Sequence, residues 1–195
     1  MNTVDDPYYS FVFRGILTEE ALDKAGRNNK LIQNSNLDPE VVKRLPFELL
    51  DSEQLIKARQ MATVYTLITA FENSVRSFVQ KKLMELHKED WWEKGVSDAV
   101  RKKAESRKEE EEKIKWHTQR GDDLMSYLEF GDLSSIIFKN WISFEPHLQT
   151  QDWVSSILKP LERSRNVLMH SGELSNPDVE RVGTLIRDWI AQVGA

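Results

Sequence analysis

The 195 residues, 39% hydrophobic and 30% charged, suit one helix-rich globular domain with at most a small appendage. The formal net charge of −5 argues against non-specific coating of nucleic acid, which runs on phosphate neutralisation, and still permits a local basic pocket. The chain has no cysteine, so disulfides and thiolate metal sites are excluded and a reducing cytoplasm is the expected compartment. No apolar run approaches the ~20 residues that span a bilayer, and Met1-Asn2-Thr3-Val4-Asp5-Asp6 has no basic region followed by an apolar one. The expectation is a protein that is neither secreted nor membrane-embedded.

Residues 1–51 read as an N-terminal arm with short elements, and 52–195 as the main body. Tyr8, Tyr9, Phe11 and Phe13 alternate as a short extended segment would, and Thr18 to Leu22 reads as a capped helical turn. Asp38-Pro39-Glu40 opens a second short helix that Pro46 closes. From Asp51 to His87 no glycine or proline intervenes. Asp51 and Gln54 form a capping-box pair, and Leu55, Ala58, Ala62, Tyr65, Ile68, Val75, Val79, Leu83 and Leu86 keep a three-and-four rhythm, so a long helix is predicted. Glu72 interrupts its apolar stripe, with Arg76 one turn later. The pair either sets helix register from a partly buried position or stands in or behind a polar site.

Trp91 and Trp92 follow an acidic helix start; adjacent on a helix, they point different ways, one into the core and the other over its rim or onto a base. Ser97-Asp98 caps a strongly charged helix predicted to run to about Gln119, with a solvated face. Gly121-Asp122-Asp123 and Gly131-Asp132 read as helix stops followed by acidic caps. Thr150 caps Gln151 to Leu158, and Pro160 is expected in the first turn of a new segment or at a kink. That segment ends at Gly172. Ser175-Asn176-Pro177-Asp178 starts a last amphipathic helix through Val193. No hairpin signal or β-α alternation appears, so the class is all-α.

The candidate chemistry lies in Glu162 to Gly172, where Arg165, Asn166 and His170 place a fixed cation, an amide and a titratable imidazole within one helix end. These groups suit phosphodiester cleavage without a metal. Asn166 and His170 share a face, whereas Arg165 and His170 leave the axis about 140° apart. Either the arginine bends back or two copies converge across a two-fold axis. Arg163, seven residues before His170, is a second cation for substrate. Glu72 and Arg76 are candidates for substrate binding or support of the site. A bland account of His170 also exists: a histidine in a last helical turn is favoured by the helix dipole. His87, His117 and His147 have no metal-ligand spacing, and no metal or cofactor is expected. Nucleophile-elbow and phosphate-loop patterns are missing too.

The Arg165-Asn166-x-x-x-His170 pattern, followed by a short polar loop and one more helix, resembles the HEPN superfamily of helical-bundle ribonucleases. The resemblance covers roughly residues 55–193. Phe71-Glu72-Asn73-Ser74-Val75-Arg76, Trp91-Trp92 and Leu133 to Trp141 resemble the branch found fused to PIN-type endoribonuclease domains. It implies an antiparallel bundle with a long central helix that dimerises, bringing two Arg-His pairs to one cleft. Many members cut RNA without metal in defence or toxin systems, leaving cyclic phosphate and 5′-hydroxyl ends, and others serve as binding or dimerisation modules. On that footing His170 is acid or base, Arg165 clamps phosphate, and Asn166 orients the imidazole or binds a phosphate oxygen. The partners implied are a second copy, RNA, and an antitoxin or defence-system protein.

Overall fold

The computed structural model describes residues 39–194 and, before them, Phe11, Arg14, Gly15, Leu17, Thr18, Ala21 and Leu22. The chain divides into two compact units, 1–56 and 57–195. In the first, most of the expected extended segment lies outside the described residues. Phe11 itself is helical, and Thr18 sits within helix, its hydroxyl donating to the Arg14 carbonyl at 2.8 Å. A short helix, Pro39–Val42, and a 3-10 turn, Phe47–Leu49, follow.

The described residues contain helices and turns and no strand, so the protein is all-α. Its main elements are α1 (Ser52–His87), α2 (Trp91–Gly95), α3 (Asp98–Glu112), α4 (Phe130–Lys139), α5 (Trp141–Phe144), α6 (Gln151–Met169) and α7 (Asn176–Val193). The start of α1 is set by Asp51, whose Oδ1 accepts from the Gln54 N–H at 3.0 Å. Burial on α1 begins at Val64 and follows Ile68, Phe71, Glu72, Val75, Val79 and Leu83. Tyr65 and Leu86, expected on that stripe, are exposed. Full burial of Val75, Val79 and Leu83 stabilises the bundle by about 1.5–3 kcal/mol for each side chain.

Aromatic rings tie the second unit together. Trp189 of α7 stands edge-on to Phe71 and Phe78 of α1, with centroids at 5.8 and 6.4 Å, and stacks on Trp153 of α6 at 5.6 Å. Phe71 also stacks on Phe130 of α4 at 6.1 Å. Trp91 and Trp92 meet edge to face at 5.5 Å, and both are partly buried against the core. Gly95 ends α2 where a Cβ would stand 2.7 Å from a Leu83 methyl, so any larger residue there would have to displace that buried side chain.

Three boundaries differ from the sequence expectation, each for a tertiary reason. Helix α3 stops at Glu112, not near Gln119, because Glu111 turns the chain back by accepting from the Arg120 N–H at 3.0 Å and pairing with its guanidinium at 2.6 Å. Helix α4 starts at Phe130, so Gly131 and Asp132 lie inside its first turn. Glu129 is the N-cap, and its N–H donates to Asp132 Oδ2 at 3.2 Å. Helix α6 runs unbroken through Pro160. The missing N–H and ring clash cost about 3 kcal/mol in an ordinary helix interior, and the buried stripe Val154, Ile157, Leu158 and Leu161 continues across the proline and outweighs it.

Candidate functional site

Helix α6 carries the site. Thr150 begins it, Oγ1 accepting from the Trp153 N–H at 3.0 Å. While Val154, Ile157, Leu158 and Leu161 face the core, Lys159, Arg163, Asn166 and His170 face out, all exposed. Their spacings of four, three and four hold them within an arc of about 60° on an α-helix. With Glu162 and Val167 they line an open groove of about 730 Å³. Among the described residues, no hydrogen bond or ion pair occupies the side chains of Lys159, Arg163 or His170.

The backbone sets the position of His170. The Gly172 N–H donates to the Val167 carbonyl at 2.9 Å and the Ser171 N–H to that of Leu168 at 3.1 Å, a Schellman ending with His170 as C-cap. The left-handed residue is Ser171, at φ 59°, and not the expected Gly172. Glycine is required at 172 for room. A Cβ there would meet Val167 Cγ1 at 2.6 Å and the Val167 carbonyl oxygen at 2.9 Å.

Arg165 leaves α6 on the other side, and its side chain is only 15% exposed. Its Nε lies 3.6 Å from Glu72 and an Nη lies 3.9 Å from Glu129. The other Nη reaches round to donate to Asn166 Oδ1 at 3.0 Å. Thus the signature arginine touches the groove through Asn166 and does not line it beside His170. Behind it, Arg76 donates to Glu72 at 3.0 Å and to the Leu128 carbonyl at 2.8 Å, and also bonds Asn73. Glu129 passes the contact on to Arg107 at 3.3 Å, and Arg107 bonds Asp132 at 2.6 Å and the Tyr127 carbonyl at 2.7 Å. The result is an alternating row, Arg76, Glu72, Arg165, Glu129, Arg107, Asp132, joining α1, α3, α4 and α6.

Burial shapes the titration of this row. Desolvation pushes the Glu72 carboxyl above its ordinary value, against the opposing pull of Arg165 and Arg76. Burial likewise lowers Arg76, with Glu72 pulling it back up. For Arg107 burial also acts downward, yet the Asp132 bond and the charges of Asp132, Glu129 and Glu162 outweigh it and the net shift is upward.

The structure therefore brings Glu72, Arg76 and Arg165 together in one half-buried network, and Arg163, Asn166 and His170 together in one open groove. Asn166 bridges the two sets. Sequence reasoning passed over Lys159, Glu129, Asp132 and Arg107. Lys159 was legible, one turn before Arg163 on the same face. The other three were hidden by a misplaced helix start and by the surrounding charge run. No group of three or more potential metal ligands occurs among the described residues.

An all-α bundle whose penultimate long helix ends on an Arg-Asn-x-x-x-His pattern, followed by one more helix, is a domain of the HEPN class. The family model described as Swt1-like HEPN matches residues 67–194, and the chain belongs to that family. Neither a curated protein nor a solved structure matches it.

Proposed function

We propose that the protein is a metal-independent endoribonuclease acting as a homodimer, in a toxin or antiviral-defence setting with an antitoxin or defence protein as its partner. The observation that carries this reading is the exposed imidazole of His170, without a partner among the described residues, in one open groove with Lys159, Arg163 and Asn166, on a HEPN bundle. Kinship with the branch fused to PIN-type nucleases belongs to the same reading.

The chemistry follows from the side chains. Neutral His170 takes the proton of a ribose 2′-hydroxyl while O2′ bonds to phosphorus. The P–O5′ bond breaks, and O5′ leaves with a proton from water, which the imidazolium of His170 then restores, giving a cyclic phosphate and a 5′-hydroxyl. Arg165, turned about 140° from His170 on the helix, acts from the neighbouring copy on the phosphoryl oxygens, where a planar two-pronged donor fits best. The row of carboxylates behind it holds the guanidinium in place before substrate arrives.

Incubation of the purified protein with total RNA in chelator tests this. Cyclic phosphate ends that vanish in His170→Ala, with the dimer intact, are expected. Intact RNA at high protein concentration would sink it. The second reading, a HEPN module that binds RNA or nucleotide, or a protein, without cleaving, draws on the engagement of Arg165 by Glu72 and Glu129 within its own chain.

A further inference from the structure

Beyond the groove at His170, α6 and α7 enclose a second groove of about 460 Å³. The two share Lys159, Arg163 and Val167, so they form one continuous depression over the exposed face of α6. The second has an apolar floor that includes Pro160, Leu174, Val182 and Leu185, and it adds a third cation, Arg181. Two carboxylates line the depression, and both are already engaged. Asp178 pairs with Arg181 at 2.8 Å and accepts from Ser175 at 2.6 Å, and Glu162 accepts from the Gly131 N–H at 3.3 Å. An exposed i,i+3 pair such as Asp178–Arg181 holds by only about 0–1 kcal/mol, so Arg181 is readily recruited by a phosphate.

We propose that this depression is the seat of a single-stranded RNA segment that extends from the scissile position at His170, with backbone phosphates on Arg163, Lys159 and Arg181 and one unstacked base on the apolar floor between α6 and α7. The proposal rests on the RNA-cleaving reading for the placement of the scissile bond, and on the groove alone for binding. Lys159 and Arg163 stand four residues apart on α6, about 6 Å along the axis, close to the phosphate repeat of an extended strand. A duplex keeps its bases stacked and paired, and offers no free base to an apolar slot. Lys159 and Arg163, with no protein partner among the described residues, are the natural counter-ions of that strand. This local cluster also reconciles nucleic-acid binding with a net charge of −5.

The test uses a fluorescent 2′-O-methyl RNA of about ten nucleotides, which lacks the attacking hydroxyl and reports binding alone. Anisotropy titrations at several salt concentrations should show binding by the wild type. Lys159→Gln and Arg181→Gln should each weaken binding several-fold and lower the slope of log affinity against log salt by about 0.7. Lys102→Gln, on α3, should change neither. Unchanged slopes in both variants, no binding by wild type, equal binding of a duplex of the same sequence, or loss of the dimer in the variants would each overturn the proposal. Failure of the nuclease reading looks different: natural RNA stays uncut while the oligomer binds with the expected slopes.

Discussion

His170 and Arg165 are held by different things, so their variants read differently. The imidazole has no partner among the described residues and stands in solvent, whereas Arg165 completes a half-buried row in which Glu72 is its counter-charge. His170→Ala should change unfolding free energy by less than about 0.5 kcal/mol and abolish cleavage. Arg165→Ala should cost about 1–3 kcal/mol, because Glu72 is left with Arg76 alone. Urea denaturation of both variants beside the activity assay separates the two effects; equal stability losses would contradict the geometry. Glu72 also has a pH dependence of known sign. Its folded-state pKa is raised, so the stability it contributes is complete below the ordinary glutamate value and is lost as pH rises through the folded one. Between about pH 4 and about pH 7, Glu72→Gln should therefore gain on wild type in unfolding free energy. A gap of the same size at both pH values would refute the assignment of burial as the dominant cause.

At the scale of the element, the end of α6 decides where the candidate base stands. Ser171 takes the left-handed conformation at a steric cost, and Gly172 supplies the clearance under Val167. Ser171→Gly should stabilise the fold by up to about 1 kcal/mol, through relief of that cost. Gly172→Ala should destabilise it by about 1–2 kcal/mol and shift His170, since the Val167 carbonyl cannot yield without breaking the turn. Thermal melts measure both, and a neutral Gly172→Ala would show that the turn tolerates the methyl. Much of this element was legible in advance. The Thr150 cap, the Ser175 cap and the facing of Asn166 with His170 follow from local chemistry and helical spacing. The passage of α6 through Pro160 was not legible, because the residues that override the proline act through burial against other helices.

For the whole molecule, the reading requires two copies. Arg165 and His170 of one chain diverge, so a site using both draws one from each protomer. Sedimentation should give twice the 22.7 kDa chain mass. Mixing inactive Arg165→Ala with inactive His170→Ala, after subunit exchange, should restore cleavage, because in about half of the dimers an intact arginine then faces an intact histidine. A mixture that stays inactive, with exchange verified by mass, would place any site within one protomer. The described residues contain no helix long and apolar enough to cross a membrane.

Taken by itself, the sequence determined the all-α class, the long helix from Ser52, the caps at Asp51, Thr150 and Ser175, and the stripe of polar residues on α6. Each depends on neighbours three or four positions away, which is the range over which backbone hydrogen bonds and helix faces operate. Tertiary structure alone decided that Arg165 is enclosed by Glu72 and Glu129, that α3 stops at Glu112, and that α7 closes a second groove beside Lys159. These rest on charges and apolar faces brought together from positions far apart in the chain, where desolvation, and not local propensity, sets the energy.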